Sequence, residues 1–216
     1  MIDALEHRGP DDTGLAVFDG AVLGSARLSV VDPVGGHQPL HGPDGTTALV
    51  CNGEIYGHAR IRAQERDYPF RTGSDAEVIL ALYERHGLEL LDHLPGTFAF
   101  ALWDDRRGRL LLARDRFGER PLYVATTRDG ALVFASEPSA LLASGLVRVR
   151  ADITTLSHMV RQGYVPSGSS IWDGIECLPH ASRLVRDGSR VAGTRCRPRC
   201  CCRTGRSPAA PCATGS

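Results

Sequence analysis

The chain has 216 residues, of which 42% are hydrophobic, so it can bury one sizeable core and is most simply a single domain. Its formal charge is zero, yet all 25 acidic residues lie at or before Asp187, whereas five arginines and no acid follow Val191. The mildly acidic body gives no electrostatic reason to expect nucleic acid as a partner. No apolar run approaches the roughly 18 residues of a membrane span, so no membrane contact is expected.

Short β runs separated by Gly, Pro and Asp dominate the chain after a helix end at residues 1–5. The runs lie at residues 15–18, 21–31, 48–51, 97–103, 109–113, 121–126 and 131–135, with hairpin tips at Asp19-Gly20, Arg107-Gly108 and Asp129-Gly130. Helices are predicted at residues 58–66, 75–85, 137–142 and 154–162. Because the helices are grouped rather than strictly alternating with strands, the pattern predicts an α+β fold layered on antiparallel sheet.

The second predicted helix has the clearest start. Ser74 and Glu77 have the spacing of a capping box, which would place Asp75 at the helix N-terminus. No Gly-x-Gly-x-x-Gly or Walker pattern occurs anywhere, so no nucleotide site is predicted in this chain.

Residues 191–216 differ in composition from the body. Five of the seven cysteines lie there among Arg, Pro, Gly and Ser: Cys196, Cys200, Cys201, Cys202 and Cys212. Without apolar periodicity, a Cys-x-x-Cys pair or a downstream His, this segment predicts a disordered tail rather than a metal site. The expected boundaries are therefore a domain at 1–190 and a tail at 191–216. A frameshift near Val191 would produce a tail of this composition. A redox or metal-binding tail is the alternative.

Asn52 is the only asparagine, and it stands beside Gly53 and Glu54 at the end of an apolar stretch. The guanidinium of Arg27 suits a carboxylate, and the carboxylates of Glu54 and Asp75 suit an ammonium group. The amide of Asn52 and the N–H of Gly53 suit an oxyanion. These are the requirements of a site for an α-amino acid whose side-chain carbonyl is attacked.

Eight ordered motifs resemble the glutaminase domain of glutamine-hydrolysing asparagine synthetases over roughly residues 1–190. They are His7 to Gly14, Arg27 to Asp32, Gln38-Pro39, Asn52 to Tyr56, Ser74 to Glu77, Gly96 to Ala101, Arg114 to Tyr123 and Phe134 to Glu137. The resemblance implies a class II glutamine amidotransferase of the N-terminal-nucleophile hydrolase type, an αββα sandwich of two antiparallel sheets. In that family an N-terminal cysteine attacks glutamine and releases ammonia.

The resemblance also implies a role for each matching residue. Asn52 and Gly53 would form the oxyanion hole, Arg27 would hold the α-carboxylate of L-glutamine, and Glu54 and Asp75 would orient its ammonium group. Backbone atoms of four residues would line the pocket: Leu28, Ser29, Val30 and Val31. The motif residues His7, Arg8, Asp115 and Arg116 are interpreted as structural. A homodimer is a further expectation from the family.

Two departures from the family pattern lead us to expect that the chain is inactive. The strand that carries the nucleophile precedes the His-Arg-Gly-Pro motif by tens of residues in the family, but Met1 lies six residues before His7. The first strand and the nucleophile are therefore expected to be missing, as is the synthetase domain that binds ATP and Mg²⁺ to amidate aspartate. Cys51 is no substitute, because strand alternation points it away from Asn52.

The leading hypothesis is thus an inactive part of an asparagine synthetase-like enzyme, and the alternative is a non-catalytic glutamine-binding module. Relatives of the β-lactam synthetase kind leave the acceptor open, because acceptor chemistry belongs to another domain. The isolated cysteines Cys51 and Cys177 fit a reducing cytoplasm.

Overall fold

Strands and helices follow one another along the described part of the chain, which comprises residues 1–28, 32, 35–188 and 190–195 of a computed structural model. The strands are β1 (Asp12–Val17), β2 (Val22–Arg27), β3 (Leu40–His41), β4 (Thr47–Ile55), β5 (Gly96–Asp104), β6 (Arg109–Arg114), β7 (Tyr123–Thr126), β8 (Leu132–Ala135), β9 (Ile175–Cys177), β10 (Ser182–Asp187) and β11 (Arg190–Arg195). The helices are α1 (His58–Gln64), α2 (Glu77–His86), α3 (Pro138–Ala143) and α4 (Ile153–Gln162), with 3₁₀ helices at Asp3–Arg8 and Gly87–Asp92.

The strands form three antiparallel sheets among these residues. The largest has six strands in the order β11-β10-β6-β5-β4-β3, and the others are the hairpin β1-β2 and the three-stranded sheet β8-β7-β9. β4 and β5 pair over nine residues each, from Thr47 opposite Asp104 to Ile55 opposite Gly96.

One face of the six-stranded sheet is covered by helices. The apolar side of α2 supplies Val78, Ile79 and Leu82, which are almost fully buried against sheet residues such as Phe100 and Leu111. Burial of each such side chain contributes about 1.5 to 3 kcal/mol. α2 ends at Gly87, whose φ of 56° suits a residue without a Cβ.

The opposite face of the six-stranded sheet packs against the two smaller sheets. Ala101 and Leu112 of the large sheet meet Leu23 of β2 and Val124 of β7 in a second apolar cluster. A third cluster lies on the far side of the three-stranded sheet, where Leu141 of α3 packs with Leu5 of the N-terminal 3₁₀ helix. The layers therefore run helix, sheet, sheet, helix, and the predicted αββα sandwich with antiparallel sheets is confirmed.

The capping box predicted at the start of α2 is wrong. The N-cap residue is Ala76, and its side chain forms no capping hydrogen bond. The buried carboxylate of Glu77 instead accepts from the backbone N–H of Arg71 at 2.7 Å and of Thr72 at 2.9 Å, and from Arg62 at 3.1 Å. Glu77 therefore fastens the preceding loop to the helix, while the N–H of Ser74 donates to the hydroxyl of Thr72 at 3.1 Å.

The C-terminal strands differ most from the prediction. β10 pairs with β6 from Ser182 opposite Arg114 to Asp187 opposite Arg109, and β11 pairs with β10 as far as Arg195. Sheet structure thus continues five residues beyond the boundary expected at residue 190. The rest of the predicted disordered tail, including its five cysteines, lies outside the described residues. Within the described ranges, every helix is too short or too polar to cross a lipid bilayer.

Asp104 at the end of β5 ties the large sheet to α2. The carboxylate is fully buried, and its Oδ2 accepts from the hydroxyl of Tyr83 at 2.9 Å and from Arg107 at 2.6 Å. Burial raises the pKa of Asp104, but the hydrogen bonds from Arg107 and Tyr83 and the nearby arginine charges outweigh it and hold that pKa below its ordinary value.

We predict that Asp104→Asn lowers the free energy of unfolding by about 2 to 3 kcal/mol near neutral pH, because charged hydrogen bonds are lost. The folded-state pKa of Asp104 is lowered, so its contribution is complete above the unfolded pKa of about 4 and is lost as pH falls through the folded pKa. Urea unfolding between pH 3 and pH 7 should show the difference from wild type shrinking below about pH 4. The exposed carboxyl variant Asp67→Asn is the control, and an Asp104→Asn difference that is unchanged at pH 3 would contradict this account.

Candidate functional site

The alternation of side chains along β4 separates core residues from site residues. Leu49 and Cys51 pack in the cluster beneath the helices, whereas Val50 packs in the cluster between the sheets. Asn52 and Glu54 continue the face of Val50, because successive side chains of a strand point to opposite faces. The last residues of β4 therefore present an amide and a carboxylate toward the space between the sheets.

A cavity of about 1040 Å³ occupies this space. Its wall includes every described residue of the predicted glutamine site: Arg27, Leu28, Asn52, Gly53, Glu54 and Asp75. The remaining three predicted residues, Ser29, Val30 and Val31, lie outside the described residues. The structure thus brings together side chains from β2, β4 and the segment before α2 that are up to 48 positions apart in the sequence.

The wall facing β4 comes from two separate sheets. Consecutive residues of β2, from Gly24 to Arg27, and of β8, from Leu132 to Ala135, line the cavity. These two strands belong to different sheets and share no ladder in the described part of the chain. Consecutive lining residues indicate that strand edges, and not only one face of each strand, border the cavity.

Gly53 is required by its backbone. Its φ is 145°, and a Cβ at this position would lie 2.0 Å from the carbonyl oxygen of Thr97 on β5. No side chain fits in so short a distance, so only glycine allows β4 to lie this close to β5 here. The main chain beside Asn52 is therefore held in one place by its neighbouring strand.

Two carboxylates lie at the end of β4. Asp75 is buried, and its Oδ2 accepts a hydrogen bond of 2.7 Å from the backbone N–H of Ile55. Glu54, the residue before Ile55, is exposed at the cavity wall. The hydrogen bond thus fixes Asp75 next to Glu54 and concentrates negative charge at this end of the cavity.

Arg27 at the end of β2 is positioned through Asp32. Its Nη2 donates to the carbonyl oxygen of Asp32 at 3.1 Å. The carboxylate of Asp32 accepts from the N–H of Gly35 at 2.9 Å and of Gly73 at 2.7 Å, and these amides lower the pKa of Asp32. Asp32 therefore links Arg27 to the segment that carries Asp75.

Gln38 has a role that the sequence did not reveal. Its side-chain Oε1 accepts from the backbone N–H of Cys51 at 2.7 Å, and its Nε2 donates to the carbonyl oxygen of Cys51 at 3.1 Å. The short strand β3 pairs with β4 only at Ala48 and Leu49. The amide of Gln38 takes the place of the next strand partner and holds β4 immediately before Asn52. The Gln38-Pro39 motif had been identified in the sequence, but nothing in it indicated that Gln38 bonds to the backbone of Cys51.

The thiol of Cys51 is poorly suited to attack a substrate. Burial raises its pKa, and the negative charge of Asp75 raises it further, whereas Arg120 acts in the opposite direction. The side chain packs among the apolar residues beneath the helices. This environment agrees with the structural role predicted for Cys51.

The other motif residues organise loops. The carboxylate of Asp115 is buried and accepts from the N–H groups of Phe117 at 2.8 Å and Gly118 at 2.7 Å. His7 and Arg8 both contact the carboxylate of Glu137, at 3.3 and 3.2 Å. These contacts agree with the structural roles predicted for His7, Arg8 and Asp115, while Arg116 is exposed in the Asp115 loop.

Comparison with known proteins adds independent evidence. A family model described as "Glutamine amidotransferase domain" matches residues 1–195. Asparagine synthetase [glutamine-hydrolyzing] 3 of Arabidopsis thaliana is 49% identical over 137 residues, which are 63% of this chain and 24% of that protein. Asparagine synthetase B of Escherichia coli is 49% identical over 139 residues, 64% of this chain and 25% of that protein. Asparagine synthetase 3 of Bacillus subtilis is 38% identical over 200 residues, 88% of this chain and 32% of that protein.

Solved structures with the same arrangement of layers are more distant in sequence. The glutamine phosphoribosylpyrophosphate amidotransferase of B. subtilis superposes with a TM-score of 0.65 at 20% identity, over 90% of this chain and 45% of that one. A structure titled as the allosteric regulatory enzyme of purine biosynthesis gives a TM-score of 0.66 at 22% identity, over 89% of this chain and 44% of that one. The chain thus spans about a quarter to a third of the curated relatives.

We predict that Gln38→Ala lowers the free energy of unfolding by about 1 to 3 kcal/mol, because the N–H and carbonyl of Cys51 lose their partners. Urea unfolding measures the loss, and hydrogen exchange should show faster exchange at Cys51. Gln64→Ala, which removes an exposed amide from α1, is the matched control. Equal stability of the two variants would show that Gln38 does not support β4.

Proposed function

The chain belongs to the glutamine amidotransferase domain family, and we propose that it binds L-glutamine in the cavity beside β4 as the glutaminase part of an asparagine synthetase-like ligase. The family match over residues 1–195 and the 38 to 49% identity to glutamine-hydrolysing asparagine synthetases support the proposal. One observation carries it above the others: Arg27, Asn52, Gly53, Glu54 and Asp75 line the same cavity.

The charges around the cavity complement each group of free glutamine. The guanidinium of Arg27 can pair with the α-carboxylate through two parallel N–H donors. The carboxylates of Glu54 and Asp75 can accept from the α-ammonium group. The amide of Asn52 and the main chain at Gly53 then remain for the side-chain carbonyl, whose oxygen becomes negative when the carbon is attacked.

Glutamine hydrolysis in this type of fold uses a cysteine thiol as nucleophile. The cysteines in the described part of the chain are Cys51 and Cys177. Cys51 packs beneath the helices, and the Sγ of Cys177 lies 3.2 Å from Nη1 of Arg114. We therefore propose that the described residues bind glutamine without turning it over, since removal of the nucleophile alone lowers rates by about six orders of magnitude in a comparable covalent mechanism.

Amidation of aspartate with ATP and Mg²⁺ is proposed for the longer proteins that contain such a domain, because the matched relatives extend far beyond it. A non-catalytic glutamine-binding module is the second candidate, and it rests on the same cavity residues.

The free cysteines Cys51 and Cys177 support a cytoplasmic location, which is part of the proposal. The homodimer is proposed from resemblance alone.

We predict that calorimetric titration detects binding of L-glutamine and that Arg27→Gln weakens it by about tenfold to a hundredfold, because a charged hydrogen-bonded pair is lost. Arg128→Gln, which removes an exposed arginine from the β7–β8 hairpin, is the charge-matched control. Absence of heat at millimolar glutamine would overturn the proposed site.

A second measurement tests turnover. Glutamate release from glutamine by the purified chain should not exceed the uncatalysed rate, and Cys51→Ala should leave that result unchanged. Activity that disappears in Cys51→Ala would assign the nucleophile to Cys51, and activity that survives the substitution would require another nucleophile. Either form of activity would refute the proposal of binding without turnover.

A further inference from the structure

Arg120 adds a positive charge to the cavity that Arg8, Arg27 and Asn52 also line. No carboxylate of the described residues lies within ion-pair distance of its guanidinium. Its Nε is buried and has no hydrogen-bond acceptor among the residues that the structure describes. A buried N–H without a partner is unfavourable, and a charged one more so. An acceptor supplied by a ligand would remove this deficit.

The position of Arg120 is fixed by its backbone. The Nε of Arg114 donates to the carbonyl oxygen of Arg120 at 2.7 Å, and its Nη2 donates to that of Gly118 at 2.5 Å. The carboxylate of Asp115 orders the same loop by accepting hydrogen bonds from the backbone N–H groups of Phe117 and Gly118. Pro121 follows directly and restricts the chain further. The guanidinium therefore extends from a rigid loop.

The sheet register places this loop at the level of Asn52. Asn52 on β4 is opposite Ala99 on β5, and Ala99 is opposite Arg114 on β6, so the three residues lie side by side and point to the same face. In this row Ala99, whose side chain is a methyl group, lies between Asn52 and Arg114, the arginine that holds Arg120. The cation and the amide thus border one space on the sheet. Arg27 is held separately, through Asp32 and Gly73.

We infer that Arg120 forms an anion subsite beside Asn52 that takes a carboxylate at the end of an amino-acid side chain. This inference rests on the proposed glutamine pocket. Hydrolysis of glutamine exchanges the side-chain amide for a carboxylate as water adds and ammonia leaves, so the acid that fits the subsite is L-glutamate. The cavity then binds L-glutamate at least as tightly as L-glutamine, and the two ligands compete for it.

The test compares L-glutamate with L-glutamine by calorimetric titration of the full chain. Wild type should bind glutamate with a Kd no weaker than that for glutamine. Arg120→Met should weaken glutamate binding by about tenfold or more and change glutamine binding by less than about threefold, because a charge-assisted pair exists only with the acid. Arg120→Lys, which keeps the charge, should retain most of the preference. Arg116→Met in the same loop removes an equal charge outside the cavity and should have no effect.

The outcomes separate the two proposals. Wild type that binds glutamine but binds glutamate more than tenfold weaker overturns the subsite, whatever the variants do. Equal weakening of both ligands by Arg120→Met, with an unchanged thermal midpoint, also overturns it. Wild type that binds neither ligand refutes the glutamine pocket itself and the subsite with it.

Discussion

The register between β4 and β5 is the constraint on which both the core and the cavity depend. It sends Leu49 and Cys51 to the helix layer and Val50 and Asn52 to the space between the sheets. A slip of one residue would exchange these faces, placing an amide beneath the helices and a leucine in the cavity. The close approach at Gly53, where no Cβ fits against Thr97, opposes such a slip. Folding stability and site chemistry thus depend on the same pairing.

Backbone contacts position the charged residues around this pairing. Asp75 is held by the N–H of Ile55, Arg27 donates to the carbonyl of Asp32, and the loop of Arg120 is held by Arg114 through its carbonyl oxygens. None of these anchors neutralises the charge at the cavity. Opposite charges can therefore lie around a common space, each oriented by the main chain.

The sequence predicted the layered fold and most of its elements because β runs and turn residues are local signals, as at Asp19-Gly20 and Asp129-Gly130. It also predicted the cavity residues, through motif resemblance. It did not predict β10, which carries Arg183 and Arg186 and is defined by pairing with residues of β6 that lie 68 to 78 positions earlier. The contacts of Gln38 and Glu77 were not predicted either. Gln38 bonds to the backbone of Cys51 and Glu77 to the backbone of the loop before α2, and such contacts leave no periodic pattern in the sequence.

The division of the second layer into two sheets affects how the cavity can change its size. No ladder joins β2 to β8 in the described residues, although the edges of both strands border the cavity. Moving the β1-β2 hairpin away from the three-stranded sheet would therefore break no backbone hydrogen bonds between the two sheets, whereas side-chain packing such as that of Leu23 would be lost. Because β4 pairs with β5 over nine residues, adjustment of the cavity to ligands of different length is expected at the hairpin rather than at β4.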